Sequence, residues 1–293
     1  MTNTPQKLVV NTSLQPCILV TGASSGIGFA TAVLLAKSGY LVYAGVRTES
    51  DKNKLISAGN GKIQAVTLDV TSNSDISTIV SRIKSNQDAA LVALVNSAGI
   101  CKTSLIEYCD RDELNEIFNV NTASILSLSN AVLPLLQQTK GKVINIESTS
   151  SHIPNVLNGG YCVSKAALEM LSRIMRIEYA IKDVSVVSIQ PGVVTTPFWT
   201  KIAAEERLNP QKINEPATLL CENFVNRQNL LKSFSKTGRS SPDKVATVIQ
   251  SIIESKQPKI KYIIGRDARL RLFLYKLMPE RLYLYLAKKK LKA

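Results

Sequence analysis

Seven short apolar runs rich in β-branched residues alternate with longer segments of helical spacing: Cys17–Val20, Leu41–Ala44, Ile63–Leu68, Leu91–Val95, Val143–Ile146, Val184–Ile189 and Tyr262–Ile264. Near-continuous apolar strands need cover on both faces, and strands separated by helices pair in parallel. Right-handed crossovers then give an α/β fold, a doubly wound parallel sheet of the Rossmann type. No shift of composition divides the 293 residues, of which 45% are hydrophobic and 20% charged, so one domain with one core is expected over residues 1–265. Within it, residues 198–238 have weak periodicity and read as a flap over a substrate. Residues 266–293 read as a basic amphipathic C-terminal extension.

Between the runs, a helix is expected from Gly26 to a stop at Ser38-Gly39. A second covers Tyr161 to Ile181, with Ala166, Leu168, Leu171, Ile174 and Ile177 as its apolar stripe. The five cysteines are scattered and odd in number, without a C-x-x-C pair, which argues against a disulfide framework and against a zinc site. The polar first sixteen residues and the lack of any run of 18 apolar residues point to a cytoplasmic chain that does not span a membrane. Of the net charge of +14, the segment from Lys256 onward supplies +10, from twelve Lys or Arg against Asp267 and Glu280. A nucleic-acid enzyme would carry its basic patch around the working cleft, so no nucleic-acid partner is expected.

Chemistry concentrates at strand ends. Thr21-Gly22-Ala23-Ser24-Ser25-Gly26-Ile27-Gly28 follows the first strand and opens the first helix. Glycines there let the backbone turn sharply and approach a pyrophosphate, whose charge the free N–H groups of the helix stabilise. Arg47 ends the second strand, where an arginine accommodates the extra phosphate of NADP and an acid would accept the ribose of NAD. Asp69-Val70 ends the third strand and Asn96-Ser97-Ala98-Gly99 the fourth, at the edge where open α/β sheets bind ligands. Tyr161 and Lys165 stand four apart on one helix face, thirteen residues or more beyond Ser148. A lysine cation beside a tyrosine stabilises the phenolate, which fits the pair for proton transfer.

Together the glycine turn, the N-x-A-G turn, Asn121, Ser148, the Y-x-x-x-K pair and Pro191-Gly192-x-x-x-Thr196 resemble the classical short-chain dehydrogenase/reductase family over about Cys17 to Thr196. The resemblance implies an enzyme that moves a hydride between NADP(H) and an alcohol or ketone. It implies Tyr161 as general acid and base, Ser148 holding the substrate oxygen, Lys165 on the nicotinamide ribose, and Asn121 placing a water beside Lys165. It implies a cofactor site of Gly22, Ser24, Ser25, Gly26, Ile27, Gly28, Arg47, Asp69, Val70, Asn96, Ala98, Gly99, Tyr161, Lys165, Pro191, Gly192 and Thr196, and no metal.

Two departures stand out: Ser97 replaces the second asparagine of N-N-A-G, and Glu147 replaces the small residue that often precedes the serine. By strand alternation the Glu147 carboxylate is expected to face away from the site. His152, in the loop between Ser148 and Tyr161, is expected to be exposed to solvent.

The long basic and apolar tail resembles the retinol and hydroxysteroid dehydrogenase branch, which implies a small lipophilic substrate and lipid metabolism. A 3-oxoacyl thioester reductase is an alternative, although such enzymes usually end soon after the last strand. A non-catalytic NADP(H)-sensing or scaffold protein is another, although it would have no need of Ser148, Tyr161 and Lys165. Pro279 divides the tail into two helices too short to span a bilayer, and interleaved Leu, Phe, Tyr, Lys and Arg are the composition of a peripheral membrane contact. The competing reading is that these residues cover the protein's own core or a partner copy in a homo-oligomer.

Overall fold

The structure, a computed structural model, describes residues 14–103, 105–156, 158–198 and 240–292. Apart from Phe198, the flap expected over 198–238 lies outside the described residues. Seven parallel strands, β1 (Gln15–Val20), β2 (Leu41–Val46), β3 (Ile63–Thr67), β4 (Ala89–Asn96), β5 (Lys142–Ile146), β6 (Ser185–Pro191) and β7 (Lys261–Ile264), form one sheet in the order β3-β2-β1-β4-β5-β6-β7. Each run read as a strand is one.

Side-chain alternation on these strands sends successive residues into two separate apolar layers. From β1, Ile18 and Val20 pack with Ala32 and Leu35 of α1 (Gly26–Lys37), and with Ile249 and Ile252 of a later helix, Pro242–Glu254. Cys17 and Leu19 face the other way, toward Ile76, Ile79 and Ile83 of α3 (Asn73–Ser85) and Leu128, Val132 and Leu136 of α5 (Ser124–Thr139). The α2 helix (Glu49–Ala58) follows β2, and α4 (Arg111–Phe118) precedes α5. Helix starts are fixed by side-chain caps: Thr48, Ser72 and Asp110 accept from the third backbone N–H of α2, α3 and α4. Ser241 caps the Pro242–Glu254 helix, α7, with proline at its first position.

The long helix α6 (Gly159–Ala180) corrects the expected stripe. Its inward residues are Ser164, Lys165, Leu168, Ser172, Met175 and Tyr179, whereas Ile174 is 45% and Ile177 73% exposed. After β7, α8 (Arg266–Leu277) and α9 (Glu280–Lys292) are separated at Pro279. No helix among the described residues is long and apolar enough to cross a membrane. The chain reverses direction across the sheet between β3 and β4, which opens a crevice at the carboxyl ends of β1 and β4.

Candidate active site

The crevice is part of a 1410 Å³ cavity along the carboxyl edge of the sheet. Small-molecule pockets occupy about 300–1,000 Å³, so there is room for a dinucleotide and a second ligand.

Its first wall is the turn between β1 and α1. Thr21 Oγ1 accepts from the Ser97 and Ala98 N–H groups at 3.0 and 3.1 Å, which pins this turn to the one after β4. Gly22 has φ +62°, and a Cβ there would lie 2.7 Å from Ala98 Cα. A Cβ on Gly28 would meet the Gly22 carbonyl oxygen at 2.3 Å, so only glycine allows α1 to start this close to the strand. Ser25, at the cap of α1, makes no side-chain cap bond, which leaves the helix's first N–H groups facing the cavity. Gly22, Ser24, Ser25, Gly26 and Ile27 line it; Gly28 lies behind as a spacer.

Arg47 and Asp69 line the same end. The Asp69 Oδ1 accepts from the Thr71 hydroxyl at 2.7 Å and its N–H at 2.9 Å, and these bonds, with the Arg47 charge, outweigh partial burial and hold the carboxyl below its ordinary range. A bare glycine turn, free helix N–H groups and an arginine at a strand end are donors suited to the phosphates of a dinucleotide, so the residues present fit one.

The second wall carries Ser148, Tyr161 and Lys165, with Val70, Ala98, Gly99, Pro191, Gly192 and Thr196 around them. Ser148 follows β5 and caps the turn after it, where its hydroxyl accepts from Ser150 N–H at 3.1 Å. Burial raises the Tyr161 phenol well above its ordinary value, Cys101 adds to this, and a hydrogen bond with Ser148 opposes it. Lys165 is 4% exposed and donates to the Ile146 carbonyl at 2.8 Å. Burial pulls its ammonium down to about 8, against the nearby Glu147 carboxylate. The Lys165 Nζ stands 5.8 Å from the Tyr161 ring centre, so the pair reaches one region of the cavity.

Two expected site residues do not line the cavity. The Asn96 amide donates to Asn145 Oδ1 at 2.9 Å and Ser129 Oγ at 3.3 Å, and Asn145 in turn donates to Ser172 Oγ on α6 at 3.0 Å. Asn96 is therefore a strut between β4, β5, α5 and α6. Asn121, on a π-helical turn at Asn119–Ala123, is fully buried; its side chain accepts from Ile100 N–H and donates to the Ile100 carbonyl, both at 2.8 Å, and to Ser164 Oγ at 2.9 Å. It holds the wall behind Gly99 and Lys165.

Other expectations are corrected. His152 is not a solvated residue: its Nε2 lies 2.7 Å from Glu169 Oε2, and its side chain is 23% exposed. Glu147 turns toward Gln190 of β6, whose Nε2 donates to Oε2 at 2.8 Å, and it is 2% exposed. It counts among the residues lining the cavity.

The far end is roofed by the C-terminal helices. Arg271, Leu274 and Tyr275 of α8, Met278 after it, and Tyr283 and Leu286 of α9 line the cavity opposite Ile153, Pro154 and Val156. The Tyr283 hydroxyl donates to the Pro154 carbonyl at 2.7 Å, and Tyr275 and Tyr283 meet edge to face at 5.1 Å. No spacing rule identifies such roof residues in advance, because they meet the site only through the path of the chain after β7.

A family model described as short chain dehydrogenase matches residues 16–207. The chain is similar to a 3-amino-tetrahydro-pyrrolizinone reductase of Xenorhabdus hominickii, at 29% identity over 86% of this chain and 87% of that protein. It is also similar to retinol dehydrogenase 7 of Mus musculus, at 27% identity over 94% of this chain and 88% of that protein. In fold it resembles the solved structure of a short-chain dehydrogenase from Streptomyces avermitilis, with TM-score 0.72 and 23% identity over 94% of this chain and 96% of that one.

Proposed function

The chain belongs to the short-chain dehydrogenase family, and on that footing we propose that it transfers a hydride between NADP(H) and a hydroxyl or carbonyl carbon of a small lipophilic substrate. The observation that carries this reading is that Ser148, Tyr161 and Lys165 share one wall of a cavity whose other end is the bare glycine turn with Arg47. Gly22 to Ile27 would hold the pyrophosphate and Arg47 the 2′-phosphate, with Asp69 and Val70 beside the adenine end and Thr196 near the nicotinamide. When bound, the nicotinamide supplies or accepts the hydride.

The protein's own residues manage the proton. Ser148 holds the substrate oxygen by hydrogen bond. Tyr161 gives its phenolic proton to that oxygen during reduction and takes it back during oxidation. The phenolate left behind is stabilised by the Lys165 ammonium, so the order of charge is Lys165 cation, Tyr161 acid, substrate oxygen. The raised Tyr161 phenol favours the protonated form at neutral pH, which suits carbonyl reduction. Asn121 contributes by holding Ile100 and Ser164 in place behind Lys165.

Support for a lipophilic substrate comes from Ile153, Val156, Leu274, Met278 and Leu286 at the far end of the cavity, and from the similarity to a retinol dehydrogenase. We further propose a peripheral membrane contact through α8 and α9, and pairing of two copies through the exposed apolar face of α6. The test of the reading is a screen of retinoids, steroids, aliphatic ketones and 3-oxoacyl thioesters with NADPH and with NADH, followed by absorbance loss. Turnover of a retinoid or steroid with NADPH is expected; turnover confined to acyl thioesters would overturn the substrate class, and preference for NADH would overturn the cofactor.

A further inference from the structure

Glu147 carries a buried charge for which the proton path has no use. It stands between Ile146, the last residue of β5, and Ser148. Gln190 satisfies one carboxylate oxygen, while Oε1 is buried without a hydrogen-bond partner among the described residues. A carboxylate so placed takes up a proton unless a cation faces it.

The surrounding charges can be accounted for. Glu169 takes Arg173 Nη2 at 2.7 Å, Lys261 Nζ at 2.6 Å and His152 Nε2 at 2.7 Å; burial alone would raise its carboxyl, and these partners hold it far below the ordinary range. Gln190 Nε2 lies 3.3 Å from the same His152 nitrogen, so Gln190 stands between the two carboxylates. Arg176 feels Glu147, yet its guanidinium is committed to the carbonyls of Val186 and Ile260 and to Ser188 Oγ at 3.0–3.1 Å. That leaves Lys165. It donates to the Ile146 carbonyl, so ammonium and carboxylate flank one peptide group, and both are more than nine-tenths buried. Burial works against the ammonium and Glu147 works for it. The influences on the Tyr161 hydroxyl are burial, Cys101, Ser148 and Cys162.

We propose that Glu147 is a positioning residue of the proton-transfer centre: its buried carboxylate, oriented by Gln190, is the counter-charge that keeps Lys165 protonated beside Tyr161. The inference rests on the hydride-transfer reading above. Its sign is definite. Neutralising the anion makes the ammonium lose its proton at lower pH, so the alkaline limb of carbonyl reduction moves down.

The experiment is the pH profile of kcat/KM from pH 6 to 10 for NADPH-dependent reduction, using the full chain and the best ketone or aldehyde from the screen. The wild type is expected to lose activity above about pH 8, where the Lys165 ammonium deprotonates. In Glu147→Gln the limb should fall by about one pH unit, the scale set by one nearby opposite charge. Glu147→Asp should restore most of it, a rescue that a purely architectural role does not produce in the pH profile. Glu147→Ser serves as the second neutral variant, with thermal melts to show that each is folded. A folded neutral variant whose limb stays at the wild-type position overturns the proposal, as does a wild-type profile flat to pH 10. Failure of both neutral variants to fold assigns the carboxylate to architecture and also overturns it. Turnover retained by Tyr161→Phe would instead overturn the underlying reaction scheme, whatever the Glu147 variants do.

Discussion

At Tyr161 two opposing demands meet on one oxygen. Burial keeps the phenol protonated, and transfer of that proton requires the phenolate to be tolerable for an instant beside Lys165. Tyr161→Phe removes the proton and almost none of the surface offered to a dinucleotide. Turnover should therefore fall by about 100-fold or more, with NADPH affinity nearly intact by fluorescence titration. Arg47→Ala should weaken NADPH roughly ten- to hundredfold, as expected for losing charge-assisted hydrogen bonds of about 1.5–3 kcal/mol, and leave NADH almost unchanged. Equal weakening of both would make the arginine a bystander. Tyr161, Lys165 and Ser148 could be read from the chain because helical spacing and strand-end position locate a side chain to within one face. Asn96 and Asn121 could be placed near the site but not in a role, since spacing does not reveal that both amides are consumed by Asn145, Ser129, Ser164 and the Ile100 backbone. The histidine misreading has the same origin: Glu169 meets His152 through the turn of α6, seventeen residues along the chain.

Among elements, α6 shows why an apolar count chose the wrong face. The helix must present Tyr161 and Lys165 to the sheet edge, and the same face continues through Leu168, Ser172, Met175 and Tyr179. Ser172 belongs there because it accepts from Asn145, and Tyr179 because its hydroxyl donates to Asn130 Oδ1 at 2.6 Å; both are invisible to a hydrophobic stripe. Met170, Ile174, Ile177 and Ile181 consequently point outward at 45–87% exposure. Contiguous exposed apolar surface of this kind marks a contact face. Ile177→Glu should convert a dimer to a monomer in light scattering, with a change in folding stability within about 0.5 kcal/mol, as for an exposed site. A wild-type protein that is monomeric at micromolar concentration would rule out pairing through α6.

For the molecule as a whole, all seven strands and the parallel wrapping were legible, because buried parallel strands leave short apolar runs that no other element produces at that spacing. The roof was legible only as a pair of alternatives. An amphipathic composition does not say which side of a helix meets the protein, and here only Ala268 and Leu272 of α8 are buried, while Leu270, Phe273, Leu277, Leu282, Leu284 and Tyr285 are 47–66% exposed. Cover for the protein's own core accounts for the first two alone. With basic residues interleaved, each adding about 1 kcal/mol near an anionic surface, the full chain should float with anionic liposomes at low salt and detach at high salt, whereas a chain ending at Gly265 should do neither. Full-length protein that ignores the liposomes would remove the membrane reading.

The bond from Tyr283 to the Pro154 carbonyl ties α9 to the loop that leads to Tyr161, so a bilayer gripped by these helices would lie against the cavity mouth. Substrate would then arrive by lateral diffusion within a leaflet, and saturation would follow its mole fraction in lipid. Adding inert phospholipid at constant total substrate would slow such an enzyme by surface dilution.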